Sequence, residues 1–227
     1  MKIAIDGPSG AGKSSIAKAL SAKLGIVYVD TGALYRTIGY YVRSAGVAPH
    51  DAEGVAALLP HIQIEVKFED GTQSVYLNGE NLGDKIRQPE ISMYASAVSA
   101  IPAVRAFLLD TQRSIADKTS VVMDGRDIGT VILPDAEVKV FLTASLPCRA
   151  MRRYRELYEK GQQVVYEDVL ADMELRDGND RGRAIAPAIP AEDAIMFDNS
   201  DMTPEESLTR MIEIIESKVG PLCGSEG

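Results

Sequence analysis

Tryptophan is absent from the chain, and cysteine occurs only twice, as Cys148 and Cys223. Two cysteines cannot build a disulfide framework, and this pair lacks metal-ligand spacing. Both are expected as reduced thiols. Positive charge is also short: 33 acidic side chains outnumber 24 basic ones, for a formal net charge of -9. An overall basic field for nucleic acid or an anionic membrane is therefore excluded, and neither is expected as a partner. The opening run Met1-Lys2-Ile3-Ala4-Ile5-Asp6 reaches an acid before any apolar stretch of signal-peptide length. No segment approaches the roughly 20 apolar residues of a membrane span. A soluble, cytoplasmic protein is expected. What is present is ordinary globular material: 227 residues, 45% hydrophobic and 25% charged. That suffices for one α/β domain with a smaller insertion.

Along the chain, Ile3–Ile5 reads as a short strand ending in Asp6 and Gly7. Lys13 to Leu24 has helical spacing, with Gly25 placed to end it. A strand over Ile26–Val29 and a helix from Ala33 to about Ser44 follow. This βαβα alternation predicts a parallel, doubly wound sheet. The middle breaks the rhythm. Ile62–Phe68 alternates apolar and polar, Asp70-Gly71 and Asn78-Gly79 are hairpin turns, and Val75–Leu77 and Glu80–Leu82 are further strands. An antiparallel insertion over 60–100 is predicted inside a core of 1–59 and 101–227. Pro102 to Lys118, Pro147 to Lys160 and Tyr166 to Asp177 have helical spacing, while Val121–Met123, Val138–Leu142 and Ala194–Phe197 read as strands. Thr203-Pro204-Glu205-Glu206 is a capping box opening a last helix to about Lys218, with a loose tail beyond Gly220.

The strongest motif is Gly7-Pro8-Ser9-Gly10-Ala11-Gly12-Lys13-Ser14, followed by Ser15. It fits G-x-x-x-x-G-K-[ST] between a strand and a helix. Its glycines let backbone N–H groups converge on phosphate oxygens at a helix N-terminus. Lys13 would reach the β- and γ-phosphates, and Ser14 would ligate Mg²⁺. ATP is preferred over GTP, because no Asn-Lys-x-Asp guanine motif occurs.

Two further segments fall at predicted strand ends, where doubly wound sheets bind ligands. In Asp30-Thr31-Gly32-Ala33-Leu34-Tyr35-Arg36, Arg36 can face a second anion. In Asp124-Gly125-Arg126-Asp127-Ile128-Gly129-Thr130, Asp124 can hold Mg²⁺ through water, with Arg126 and Asp127 at the crevice mouth. Seven arginines then crowd one stretch: Arg149, Arg152, Arg153, Arg155, Arg176, Arg181 and Arg183. Arg149, Arg152 and Arg153 share a helix face, and Arg176–Arg183 reads as a glycine-broken loop, the arm of an Arg-rich lid over about 155–185. Arginine forks stabilise charge in phosphoryl transfer, and a lid excludes water. His50 and His61 have no partners for nucleophilic catalysis, and Tyr28, Tyr35, Tyr40 and Tyr41 read as core packing.

Together, the phosphate loop, Asp30–Arg36, Asp124–Thr130 and the Arg176–Arg183 segment resemble the bacterial cytidylate kinases among the P-loop nucleoside monophosphate kinases. The resemblance runs nearly end to end. It implies a three-layer P-loop kinase fold with a central parallel sheet, an antiparallel insertion on the monophosphate side and a short Arg-rich lid. It implies transfer of the ATP γ-phosphoryl group to CMP or dCMP by a monomer with Mg²⁺. By motif position, Thr31, Arg36 and Arg126 match acceptor phosphate and sugar contacts. Ser96, Arg105 and Asp127 match groups reading cytosine, and Arg176, Asp180 and Arg183 match lid groups near the sugar and the transferring phosphate. Lys13, Arg126, Asp127, Arg176 and Arg183 are the expected catalytic set, and Arg152 is expected at ATP. Another small-molecule P-loop kinase and a nucleotide-dependent ATPase switch are the alternatives.

Overall fold

Parity along the first strand decides the layers. In β1 (Lys2–Asp6), Ile3 and Ile5 point to one side and Ala4 to the other, as a period of two requires. The chain continues through α1 (Lys13–Leu24), β2 (Val27–Asp30), α2 (Thr31–Ser44) and α3 (Ala52–Leu58). Next come β3 (Ile64–Glu69), β4 (Thr72–Leu77), β5 (Glu80–Asn81), α4 (Pro89–Val98) and α5 (Pro102–Lys118). It ends with β6 (Val121–Gly125), β7 (Val138–Thr143), α6 (Leu146–Glu159), α7 (Tyr166–Arg181), β8 (Ile195–Asp198) and α8 (Pro204–Val219). This computed structural model describes residues 1–69 and 72–222. The Asp70-Gly71 turn, Cys223 and the last residues of the tail lie outside them.

The main sheet is parallel throughout, in the order β2-β6-β1-β7-β8. Ile3, Ile5, Val140 and Leu142 pack against Ile16 and Leu20 of α1 and Met211 and Ile215 of α8. On the opposite face, Ala4, Val29 and Met123 meet Ala116 of α5 and the Ile128–Ile132 turn. These are the three layers of the predicted fold. Register brings the strand ends level, with Asp30 beside Asp124 and Asp6 beside Gly125.

The small sheet, β3-β4-β5, is antiparallel. Val75 and Leu77 share a second core with Leu34, Ile38 and Val42 of α2, and with Ile91 and Val98 of α4. That core also takes in Val55 of α3 and Leu108 of α5, so it reaches beyond 60–100 on both sides.

Local rules account for most helix ends. The Asp30 side chain accepts from Ala33 N–H and starts α2, and Gly25 ends α1 at φ 64°. Thr203 and Glu206 form the reciprocal capping box of α8. Three readings need correcting. Helices α3 and α4 are present where none is predicted. Asp51 caps the first, Pro89 sits in the first turn of the second, and both are drawn into the second core. Arg176–Arg183 is not a loop, because α7 continues to Arg181. Gly178 and Asn179 cost on the order of 1 kcal/mol of helix propensity. The pairings of Asp177 with Arg149 and of Asp180 with Arg126 hold the segment helical against that cost.

Candidate active site

A cleft of about 580 Å³ opens at the C-terminal ends of β1, β2 and β6. Ser9, Gly10, Gly12, Lys13, Ser14 and Ser15 line one side. Gly7, Pro8 and Ala11 do not reach it. Gly7 has φ +143°, and a Cβ there would fall 1.9 Å from the Leu142 carbonyl oxygen, so only glycine lets the loop leave β1 this close to β7. Ala11 is buried in the core beneath the loop. Lys13 Nζ donates to the Pro8 carbonyl at 2.7 Å. Burial, with the nearby Arg126, pushes its ammonium well below the usual lysine value.

Asp124 stands under the loop. Ser14 Oγ donates to its Oδ2 at 2.8 Å and the Tyr28 hydroxyl to its Oδ1 at 2.9 Å. Burial and the neighbouring Asp30 raise its pKa. Among the described residues no lysine or arginine forms an ion pair with it. A buried carboxylate and a hydroxyl, both hard oxygen donors without a cationic partner, fit Mg²⁺ that keeps most of its shell as water and phosphate oxygen. Among the described residues no three His, Cys, Asp or Glu side chains cluster as a self-sufficient metal cage.

The other side of the cleft is built from side chains. Thr31, Arg36, Ser96, Arg105, Arg126 and Asp127 line it, with Arg176, Asp180 and Arg183 from α7 and its end. Asp180 Oδ2 accepts from Arg126 Nε at 2.8 Å, and its Oδ1 accepts from Arg183. Against the burial that would raise it, Arg126 and Arg183 hold the Asp180 pKa below the usual value. Arg176 makes no such pair: its buried Nε has no hydrogen-bond partner among the described residues. Burial and the adjacent Arg126 lower Arg176 to about 10. Arg36 is engaged with Asp30 at 2.7 Å, and its own Nε has no hydrogen-bond partner among the described residues. Farther in, Arg105 is paired with Asp127 and stacks 5.7 Å from the Tyr35 ring centre. Burial raises the Asp127 pKa in spite of Arg105 and Arg183.

Every residue expected at the acceptor therefore meets in one cleft, although the set runs from 31 to 183. The shared face of Arg149, Arg152 and Arg153 is a correction: Arg152 and Arg153 line the cleft, whereas Arg149 turns behind the phosphate loop. Arg152 is held by Asn199, to its Oδ1 at 3.1 Å and its carbonyl at 2.9 Å, and Asn199 Nδ2 donates to Ala11 O at 3.2 Å. Asn199 was invisible in sequence, since one polar residue after a strand carries no pattern. Tyr28 and Tyr35 are core residues as expected, yet each presents an edge or a face to the site. His50 and His61 are exposed and far from the lining.

A phosphate loop and a crowd of arginines facing one cleft at the strand ends of a parallel sheet define a P-loop phosphoryl-transfer protein. The family model described as cytidylate kinase matches residues 3–217. A cytidylate kinase of Caldicellulosiruptor saccharolyticus is 47% identical over 220 residues, covering 97% of each chain. One from Caldanaerobacter subterraneus is 49% identical over 215 residues, covering 95% of this chain and 94% of that one. One from Lactobacillus johnsonii is 44% identical over 218 residues, covering 96% and 95%. A solved structure of an uncharacterized protein from Eubacterium ventriosum matches with a TM-score of 0.53 at 15% identity, covering 96% of this chain and 99% of that one, a likeness of fold alone. The chain belongs to the cytidylate kinase family, and so to the nucleoside monophosphate kinases, which are phosphotransferases.

Proposed function

We propose that the chain transfers the γ-phosphoryl group of ATP directly to the α-phosphate of CMP or dCMP, giving ADP and CDP or dCDP. The observation that carries this is Arg176, which lines the same cleft as Lys13 and the phosphate loop and forms no ion pair among the described residues. Such a donor is made for an anion.

The loop residues that line the cleft, Ser9, Gly10 and Gly12 to Ser15, would cradle the triphosphate with backbone N–H groups, Lys13 would reach the transferring phosphate, and Arg152 would contact ATP. Ser14, and Asp124 through water, would hold Mg²⁺, which when bound neutralises charge on the phosphate oxygens. At the acceptor, Thr31, Arg36 and Arg126 take the monophosphate and sugar, and Asp180 with Arg183 flanks them. An acceptor phosphate with a second pKa near ~6 is already anionic at neutral pH, so no strong general base is required. Catalysis then rests on alignment and on the charge of Lys13, Arg126, Arg176 and Arg183.

Cytosine is read by Ser96, Arg105 and Asp127. A carboxylate accepts from the exocyclic amine of cytosine, where uracil offers only another acceptor. A site built on hydrogen bonds rejects a base that leaves them unpaired. The single chain supplies every group in this reading, so a monomer is expected, with 60–100 serving as the monophosphate-binding insertion and about 155–185 as the lid; two cysteines without a disulfide framework suit a reducing cytoplasm. A coupled assay of ADP release with and without CMP tests it. Strict dependence on CMP is expected. CMP-independent hydrolysis would favour an ATPase switch, and dependence on AMP another small-molecule kinase.

A further inference from the structure

One guanidinium behind the phosphate loop touches three separate segments. Arg149, on the first turns of α6, is 4% exposed. Its Nε donates to Ala144 O at 2.8 Å, at the end of β7, and its Nη1 to Ser9 O at 3.0 Å, inside the phosphate loop. Its Nη2 lies 2.7 Å from Asp177 Oδ2 on α7. Neither Arg149 nor Asp177 lines the nucleotide cleft. Both line a separate cavity of about 230 Å³, with Pro8 in its wall.

The peptide joining Ser9 to Gly10 is trans and planar, so its C=O and N–H point in opposite directions. With the Ser9 carbonyl committed to Arg149, the Gly10 N–H is aimed away from α6, and Gly10 itself lines the cleft. The loop is also pressed onto the helices behind it. Gly10 has φ +76°, and a Cβ there would come within 2.8 Å of Met173 Cε and 3.1 Å of Arg149 Cβ. Met173 and Asp177 are one turn apart on α7, so a single face of that helix backs the loop. Arg176 and Asp180 of the same helix line the cleft.

The Asp177 carboxylate is 3% exposed, and neither oxygen accepts a hydrogen bond among the described residues. Charge alone holds it, from Arg149 and, at 4.0 Å, from Arg181. Stability does not call for such a pair, since apolar side chains of similar volume often serve as well. We propose that Arg149, tied to Asp177, is a positioning residue for phosphoryl transfer. It orients the Ser9–Gly10 peptide and fixes the register of α7, and with it Arg176, against the phosphate loop. The inference rests on the phosphoryl-transfer reading above. Misplacement of a transfer group by about 1 Å can cost on the order of 10²-fold in rate, which makes the tie measurable.

The test compares wild type with Arg149→Met, with Arg149→Met combined with Asp177→Leu, and with Arg149→Lys, measuring Tm, kcat and KM for CMP. Arg149→Met strands the Asp177 charge and is expected to lower Tm. The double variant is expected to recover Tm while kcat stays at least tenfold below wild type, with KM for CMP within threefold. A recovered Tm with kcat less than tenfold down overturns the proposal. Should the double variant not fold, Arg149→Lys decides by the same tenfold limit, because it keeps the charge balanced but cannot span three acceptors. A wild-type protein without CMP-dependent turnover overturns the phosphoryl-transfer reading and the tie with it. Normal wild-type turnover with an unimpaired variant overturns the tie alone.

Discussion

The two sides of the cleft are made in different ways. The phosphate-loop side comes from one contiguous run, Gly7 to Ser15, of which Ser9, Gly10 and Gly12 to Ser15 line the cleft with a single buried lysine among them. The arginine side is assembled from side chains of α2, α4, α5, the turn after β6 and α7. Backbone recognition needs only a local conformation, so the eight residues from Gly7 to Ser14 announce it in order. Side-chain recognition needs convergence, so no short window reveals it. The charge differs as well. Lys13 forms no ion pair among the described residues and its pKa is depressed by burial and the nearby Arg126, whereas Arg126 and Arg183 are partly offset by Asp180, and Arg105 by Asp127. The chain is acidic overall at -9, yet eight of its fourteen arginines line this one cleft.

Removing the buried lysine should hurt most. Lys13→Ala is expected to lower kcat by about 10³-fold with the fold intact by circular dichroism, since a preorganised charge at the transferring phosphate is lost. Wild-type turnover in that variant would break the distinction between the two sides.

Asp6 joins them. Its carboxylate accepts from the amides of Ile128 and Gly129 at 2.7 Å each, linking the end of β1 to the turn that carries Arg126 and Asp127. Burial raises its pKa from 3.8 to about 6. The folded state therefore holds its proton more tightly than the unfolded one. Its contribution to stability is complete below about pH 4 and is lost as pH rises through about 6. A shift of two units is worth about 3 kcal/mol. The stability of wild type relative to Asp6→Asn, from urea midpoints, is expected to fall by that order between pH 4 and pH 7. A flat difference over that range would contradict it.

Asp127→Asn probes the arginine side alone. Losing the carboxylate proposed to accept from the cytosine amine is expected to cut discrimination of CMP over UMP, as a ratio of kcat/KM, by about 10²-fold. The smallest effect is expected at Gln73 of β4, whose side chain pairs with the Asp30 backbone at 2.7 and 3.2 Å and fastens the small sheet to the end of β2. Gln73→Ala should cost about 1 kcal/mol in unfolding measurements and leave kcat within threefold.

The fold was legible where periodicity and end signals agreed, as at α1 with Gly25 and α8 with its capping box. The length of α7 was not, because Gly178 and Asn179 read as breakers and the ion pairs that hold them helical span the fold. Short α3 and α4 were hidden for a similar reason: burial in the second core makes them helices, and seven or ten residues show little period. At the site, motif positions led to the cleft residues, while Arg149 and Asn199 act through partners more than 100 residues away. Nothing local marks such roles.

If one cleft joins an ATP-type phosphate loop to a cytosine-reading acceptor site, kcat/KM for CMP, dCMP, UMP, AMP and GMP under saturating ATP and Mg²⁺ should place CMP and dCMP together well above the other three. Comparable values for AMP would contradict that joint site.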